Sequence, residues 1–157
     1  MKPIIGISDK NRQSLTDLLN QVLSDEYVLY TKLRNYHWNV SGINFSEFHK
    51  LFEAQYEEVD EAIDDTAERT RALGGKALGT LKEFLQKATL KEHPGTQPSI
   101  KEMLQDLLED HETIIRNLRQ GQADAAEKFG DAGTCDFLTG LMQQHEKMAW
   151  MLRTSLE

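Results

Sequence analysis

Apolar residues recur at helical spacing in four long stretches and one short one. Leu15, Leu18, Val22, Leu29, Leu33 and Tyr36 mark the first, with Ser8 placed to cap it before Asp9, so a helix is predicted over about 8–39. Ser41, Gly42 and Asn44 make a connecting loop. Phe48, Phe52, Val59, Ile63 and Thr66 then mark a second helix, about 46–73, ending at Gly74 and Gly75 and antiparallel to the first. A short amphipathic piece, about 80–88, is followed by the turn-rich run His93-Pro94-Gly95-Thr96-Gln97-Pro98. Ser99 caps a helix of about 99–129 carrying Ile100, Met103, Leu104, Leu107, Leu108, Ile114, Ile115 and Leu118. Phe137, Leu138, Leu141, Met148, Met151 and Leu152 mark the last, about 132–155.

Four long helices, with a short extra helix in the long crossover between the second and third, predict an all-α four-helix bundle. The pattern alone fits a ferritin-like bundle and a cytokine-like one. At 157 residues the chain can bury a core and reads as one domain, 1–157. No apolar run approaches the roughly 20 residues of a membrane span. Met1 to Ile7 lacks the form of a signal peptide, so the cytoplasm is the expected compartment. A lone cysteine, Cys135, can form neither an intrachain disulfide nor a thiolate cluster, so a metal must sit on His and carboxylates. A net charge of −8 opposes attraction to phosphate backbones and favours cations.

On the second helix His49 and Glu53, then Asp64 and Glu68, form two i, i+4 pairs, each sharing a face. At 100° per residue the apolar stripe clusters within about 60°, and these four lie roughly 130° away from it. Lys50, Glu57, Asp60 and Arg71 share that sector, so a plain solvated face also fits. His37, near the end of the first helix, changes the balance, because the loop brings it beside His49. Two imidazoles next to a carboxylate suit a transition metal. His49 and Asp64 are fifteen residues apart, about 22 Å along the axis, so one protomer cannot close the set. A second copy packed antiparallel across a two-fold axis would supply the missing half. A di-iron centre inside one bundle would use Glu-x-x-His motifs, and no histidine here has glutamate three residues before it.

Asn35-Tyr36-His37-Trp38-Asn39-Val40-Ser41-Gly42, followed by His49, Ala67-Glu68-Arg69 and Leu73-Gly74-Gly75, resembles the signature of the Dps (miniferritin) family. The likeness continues through Asp136-Phe137-Leu138-Thr139 and His145-Glu146-Lys147 to Trp150. The resemblance implies a homo-oligomeric, dodecameric shell that oxidises ferrous iron with hydrogen peroxide, or more slowly dioxygen, and stores ferric mineral, protecting against oxidative stress. It implies intersubunit iron ligands His37, His49 and Glu53 from one chain and Asp64 and Glu68 from its partner. Glu53 stands where many members have aspartate, which bears on metal spacing and affinity. Trp38 resembles a family tryptophan that takes up a stray oxidising equivalent; the plain alternative is an interface or core aromatic. Asp131 and Asp136 resemble acids lining three-fold pores, although Ala132 replaces another acid, and acids at a helix start also serve its dipole. DNA binding, after which the family is named, is not expected here: Lys2, Lys10 and Arg12 are the only nearby basic residues at the start, and the chain ends Leu156-Glu157.

Overall fold

The computed structural model describes residues 3–157, so Lys2 lies outside the described residues. Five helices follow in order: α1 Asp9–Asn39, α2 Phe45–Ala72, α3 Leu81–Lys87, α4 Ile100–Glu127 and α5 Ala132–Thr154. Each begins within two residues of where the apolar spacing predicts it, because the start signals are local. Ser8 accepts from Asn11 N. Thr80 and Ser99 each form a reciprocal capping box, with Glu83 and Glu102 respectively.

α1 and α2 form one antiparallel hairpin, in register at His37 with His49 and at Tyr30 with Tyr56. α4 and α5 form the other, tied on the outside by Arg119–Glu146 and Arg153–Glu112. Leu15, Leu19, Leu29 and Leu33 of α1 are fully buried, with Phe52 and Val59 of α2, Leu107 and Leu118 of α4, and Leu138 and Leu152 of α5. Each such side chain contributes about 1.5–3 kcal/mol through its removal from water.

The crossover is held by buried polar side chains of α1 rather than by apolar contact alone. Asp25 accepts from Thr89 N (2.6 Å), Leu90 N (3.1 Å) and the Thr89 hydroxyl (2.9 Å). Asn20 donates to Lys76 O and accepts from Leu78 N. At its start, Gly74 has φ +82°, and a Cβ on Gly75 would stand 2.2 Å from Thr16 Oγ1, so the chain passes α1 where only glycine fits. Lys32, also on α1, is ion-paired with Asp106 (2.8 Å) and Asp110 of α4.

Candidate metal centre

His37 is buried and His49 half-buried, and their rings stack at 3.7 Å with 20° between planes. His37 Nδ1 donates to His49 O, and His49 Nδ1 donates to His37 O, both at 2.8 Å. A carbonyl only accepts, so each ring carries its proton on Nδ1 and keeps a lone pair on Nε2. That is the state in which a histidine binds a metal, with its other nitrogen on a backbone carbonyl. Among the described residues neither Nε2 has a hydrogen-bond partner. One turn along α2, Glu53 is half-buried and accepts at Oε1 from the Tyr56 hydroxyl (3.3 Å), and among the described residues its Oε2 has no hydrogen-bond partner.

Asp64 and Glu68 lie near the other end of α2, exposed, without an ion pair or hydrogen bond among the described residues. Glu53 and Asp64 are eleven residues apart, about 16 Å along the helix. Among the described residues no three His, Cys, Asp or Glu side chains of one protomer come together as a metal site. The protomer thus presents two half-sets, one of histidines with a carboxylate and one of two carboxylates.

Trp38 is 64% exposed, so within the protomer it is not a core aromatic. The Arg34 guanidinium lies over its ring at 4.9 Å. The two acids assigned to a pore differ. Asp131 is buried and caps α5, accepting from Gly133 N (3.1 Å), the Thr134 hydroxyl (2.5 Å) and Arg69 Nη2 (2.9 Å). Burial pushes its carboxyl up, but the bonds from Thr134 and Arg69 outweigh burial and hold it below the usual carboxylate range. Asp136 is exposed and lines a polar cleft between α2 and α5 with Asp65 and Gln144. Cys135 is half-buried, its thiol 3.4 Å from Gln122 Oε1.

A second polar group lies where spacing motifs give no sign of it. Glu26 of α1, His145 of α5 and His111 of α4 are all fully buried in the bundle. His145 Nε2 is 2.8 Å from Glu26 Oε1, and its Nδ1 is 2.9 Å from His111 Nδ1. Two imidazole nitrogens that close need one proton between them. Among the described residues Glu26 Oε2 and His111 Nε2 have no hydrogen-bond partner. The only sequence signal is that all three occupy core positions: Glu26 falls between Val22 and Leu29, His111 between Leu107 and Ile114, His145 between Leu141 and Met148.

The ferritin-like domain family matches residues 16–157. An uncharacterized low temperature-induced protein of Nostoc sp. is 50% identical over 153 residues, 98% of this chain and 86% of the relative. The X-ray structure of Dps from Thermosynechococcus elongatus superposes with a TM-score of 0.90 at 32% identity, covering 94% of this chain and 93% of that one. A Dps protein from Vibrio cholerae, described as a member of a broad superfamily of ferritin-like diiron-carboxylate proteins, does so with a TM-score of 0.93 at 29% identity, covering 99% and 97%.

Proposed function

The chain belongs to the Dps family of ferritin-like proteins, and from that premise we propose that it is a ferroxidase and iron-storing miniferritin whose oxidation sites form between subunits. The observation that carries this reading is the histidine pair. The two imidazoles tie α1 to α2, each fixed with Nδ1 on the other's carbonyl and Nε2 left to donate its lone pair to a metal. The missing carboxylates are supplied by Asp64 and Glu68 of a second copy across a two-fold axis, so each such interface makes two equivalent sites.

Ferrous iron is the substrate. Neutral imidazole and carboxylate ligands suit Fe(II), and the negative charge of Glu53, Asp64 and Glu68 favours Fe(III) once the electron has left. Two Fe(II) pass one electron each to hydrogen peroxide, which takes up two protons and becomes two waters, so no hydroxyl radical is released. Dioxygen is the slower oxidant. The ferric product moves into the interior of a dodecameric shell and mineralises there. Iron reaches the interior past Asp136 and Asp65, whose carboxylates line an open cleft, whereas Asp131 is occupied as a helix cap. In stopped-flow measurements the double variant His37→Ala/His49→Ala is expected to lose most of the Fe(II) oxidation rate. An unchanged rate would remove the assigned site.

A further inference from the structure

Arg34 carries a positive charge, beside the histidine half-set, that the protomer does not neutralise. It stands one turn before His37 and Trp38 on α1, half-buried, and among the described residues no carboxylate lies within ion-pairing distance of it. Its guanidinium is nevertheless held in place. It lies 4.8 Å over the Tyr56 ring, 4.9 Å over Trp38 and 5.6 Å over Tyr30, and its Nη1 donates to the Tyr30 hydroxyl at 2.9 Å. Glu53 does not pair with it and instead accepts from the Tyr56 hydroxyl. Contacts with ring faces use the charge of a guanidinium and not its N–H donors, so most of its planar fork stays open to a carboxylate.

A second copy carries the acid that would neutralise it. In the two-chain site proposed above, Glu53 stands opposite Asp64 of an antiparallel α2. Three residues forward from Glu53 is Tyr56, and three residues back from Asp64 is Glu61. The partner's Glu61 therefore comes opposite Tyr56, the ring over which the Arg34 guanidinium lies. Glu61 is exposed, and among the described residues its side chain has no ion pair or hydrogen bond. It shares one stripe of α2 with Glu57, Asp64 and Glu68. An antiparallel copy lays that acidic stripe against itself, a repulsive arrangement unless each chain brings a cation.

We propose that Arg34 and Glu61 form a reciprocal ion pair between subunits, and that this pair sets the register in which the two half-sets meet. The inference rests on the two-chain site above. Symmetry makes two such pairs at each two-fold interface. Glu61 is one turn from Asp64, so anchoring Glu61 brings Asp64 level with the partner's Glu53 before iron is bound. Because the three rings fix the guanidinium in advance, less of its freedom is lost when the chains dock. Arg34 is a positioning residue: it touches no iron and acts through where it holds the other chain's carboxylates.

The test uses metal-free protein, so that iron cannot bridge the chains, and reads assembly by size exclusion with light scattering. Arg34→Glu sets acid against acid and Glu61→Arg sets base against base, so each variant alone should be lost from the shell fraction. In an equimolar mixture an Arg34→Glu chain can pair with a Glu61→Arg chain with both contacts complementary. Shells holding the two chains in equal numbers should then return, a repair that mixing could not make if the contact lay within one protomer. Arg34→Gln and Glu61→Gln, which keep a good helix former at each position, should each raise the concentration at which shells fall apart by about tenfold. The chain carrying both should fall apart no sooner than either alone. Charge-reversed variants that assemble as the unsubstituted protein does, a mixture no better than its components, or additive effects of the two Gln substitutions would overturn the pairing. Unsubstituted shells that form but oxidise no Fe(II) would instead overturn the ferroxidase reading.

Discussion

Glu26, His145 and His111 occupy places that leucine would fill in an all-apolar core, and burial sets what charge they can carry. Desolvation first, and the neighbouring His145 second, push the His111 pKa well below its ordinary value. The folded protein therefore refuses a proton at His111 that the unfolded chain accepts below about pH 6.5, and stability falls as pH drops, by up to about 1.4 kcal/mol per pH unit. Asp110 works in the opposite sense. Burial outweighs its bond to Lys32 and raises its pKa to about 6, so below that value the folded state holds a proton the unfolded chain releases. The two are separated by substitution: in denaturation curves between pH 7.5 and 5.5, His111→Asn is expected to be less stable at neutral pH yet less sensitive to acid. An acid dependence equal to that of the unsubstituted protein would clear His111 of the effect. The contrast with His37 and His49 explains what the sequence makes legible. Those two are brought together by one short loop, and His49 faces away from the apolar stripe of its own helix. The buried three stand on apolar stripes of separate helices, where one polar residue among leucines predicts burial of neither itself nor its partners.

Helices are readable because their signals lie within a turn: caps at Ser8, Thr80 and Ser99, and apolar residues three or four apart. What joins the elements is not, since the partners are remote in the chain. Asp25 reaches Thr89 across 64 residues, and Asp131 reaches Arg69 across 62. Periodicity marks Asp25 only as a polar residue on a mostly buried helix, and Asp131 equally as a cap or a pore acid. Asp25 is 2% exposed and accepts three hydrogen bonds, so its loss leaves two backbone donors unpaired at the end of the crossover helix. Asp25→Ala is expected to cost about 2–4 kcal/mol, from about 1–3 kcal/mol for each buried donor left bare, offset by water that enters. The loss should be local: amide exchange at Thr89 and Leu90 should accelerate strongly, while amides in the middle of α4 should change little. Equal acceleration across both would mean that the crossover is not a separately held unit.

For the whole molecule, the decisive quantity is the length of α2, which keeps the two halves of the proposed site farther apart than any side chain spans. The requirement for two chains can be tested without a crystal of the complex. One parent carries His37→Ala/His49→Ala and the other Asp64→Ala/Glu68→Ala, and neither alone contains an intact site. In a mixed two-fold pair, one of the two sites combines both damaged halves and the other combines both intact halves. Random assembly of equal amounts makes half of all pairs mixed, so about one quarter of the sites is restored. Co-assembled shells, separated from monomer by size exclusion, are expected to regain about that fraction of the peroxide-dependent Fe(II) oxidation rate. Were all ligands to come from one protomer, every site in the mixture would keep a damaged half, and activity would stay at the level of the inactive parents. Recovery therefore discriminates between the two arrangements by its presence, and its size reports whether two independent sites share each interface.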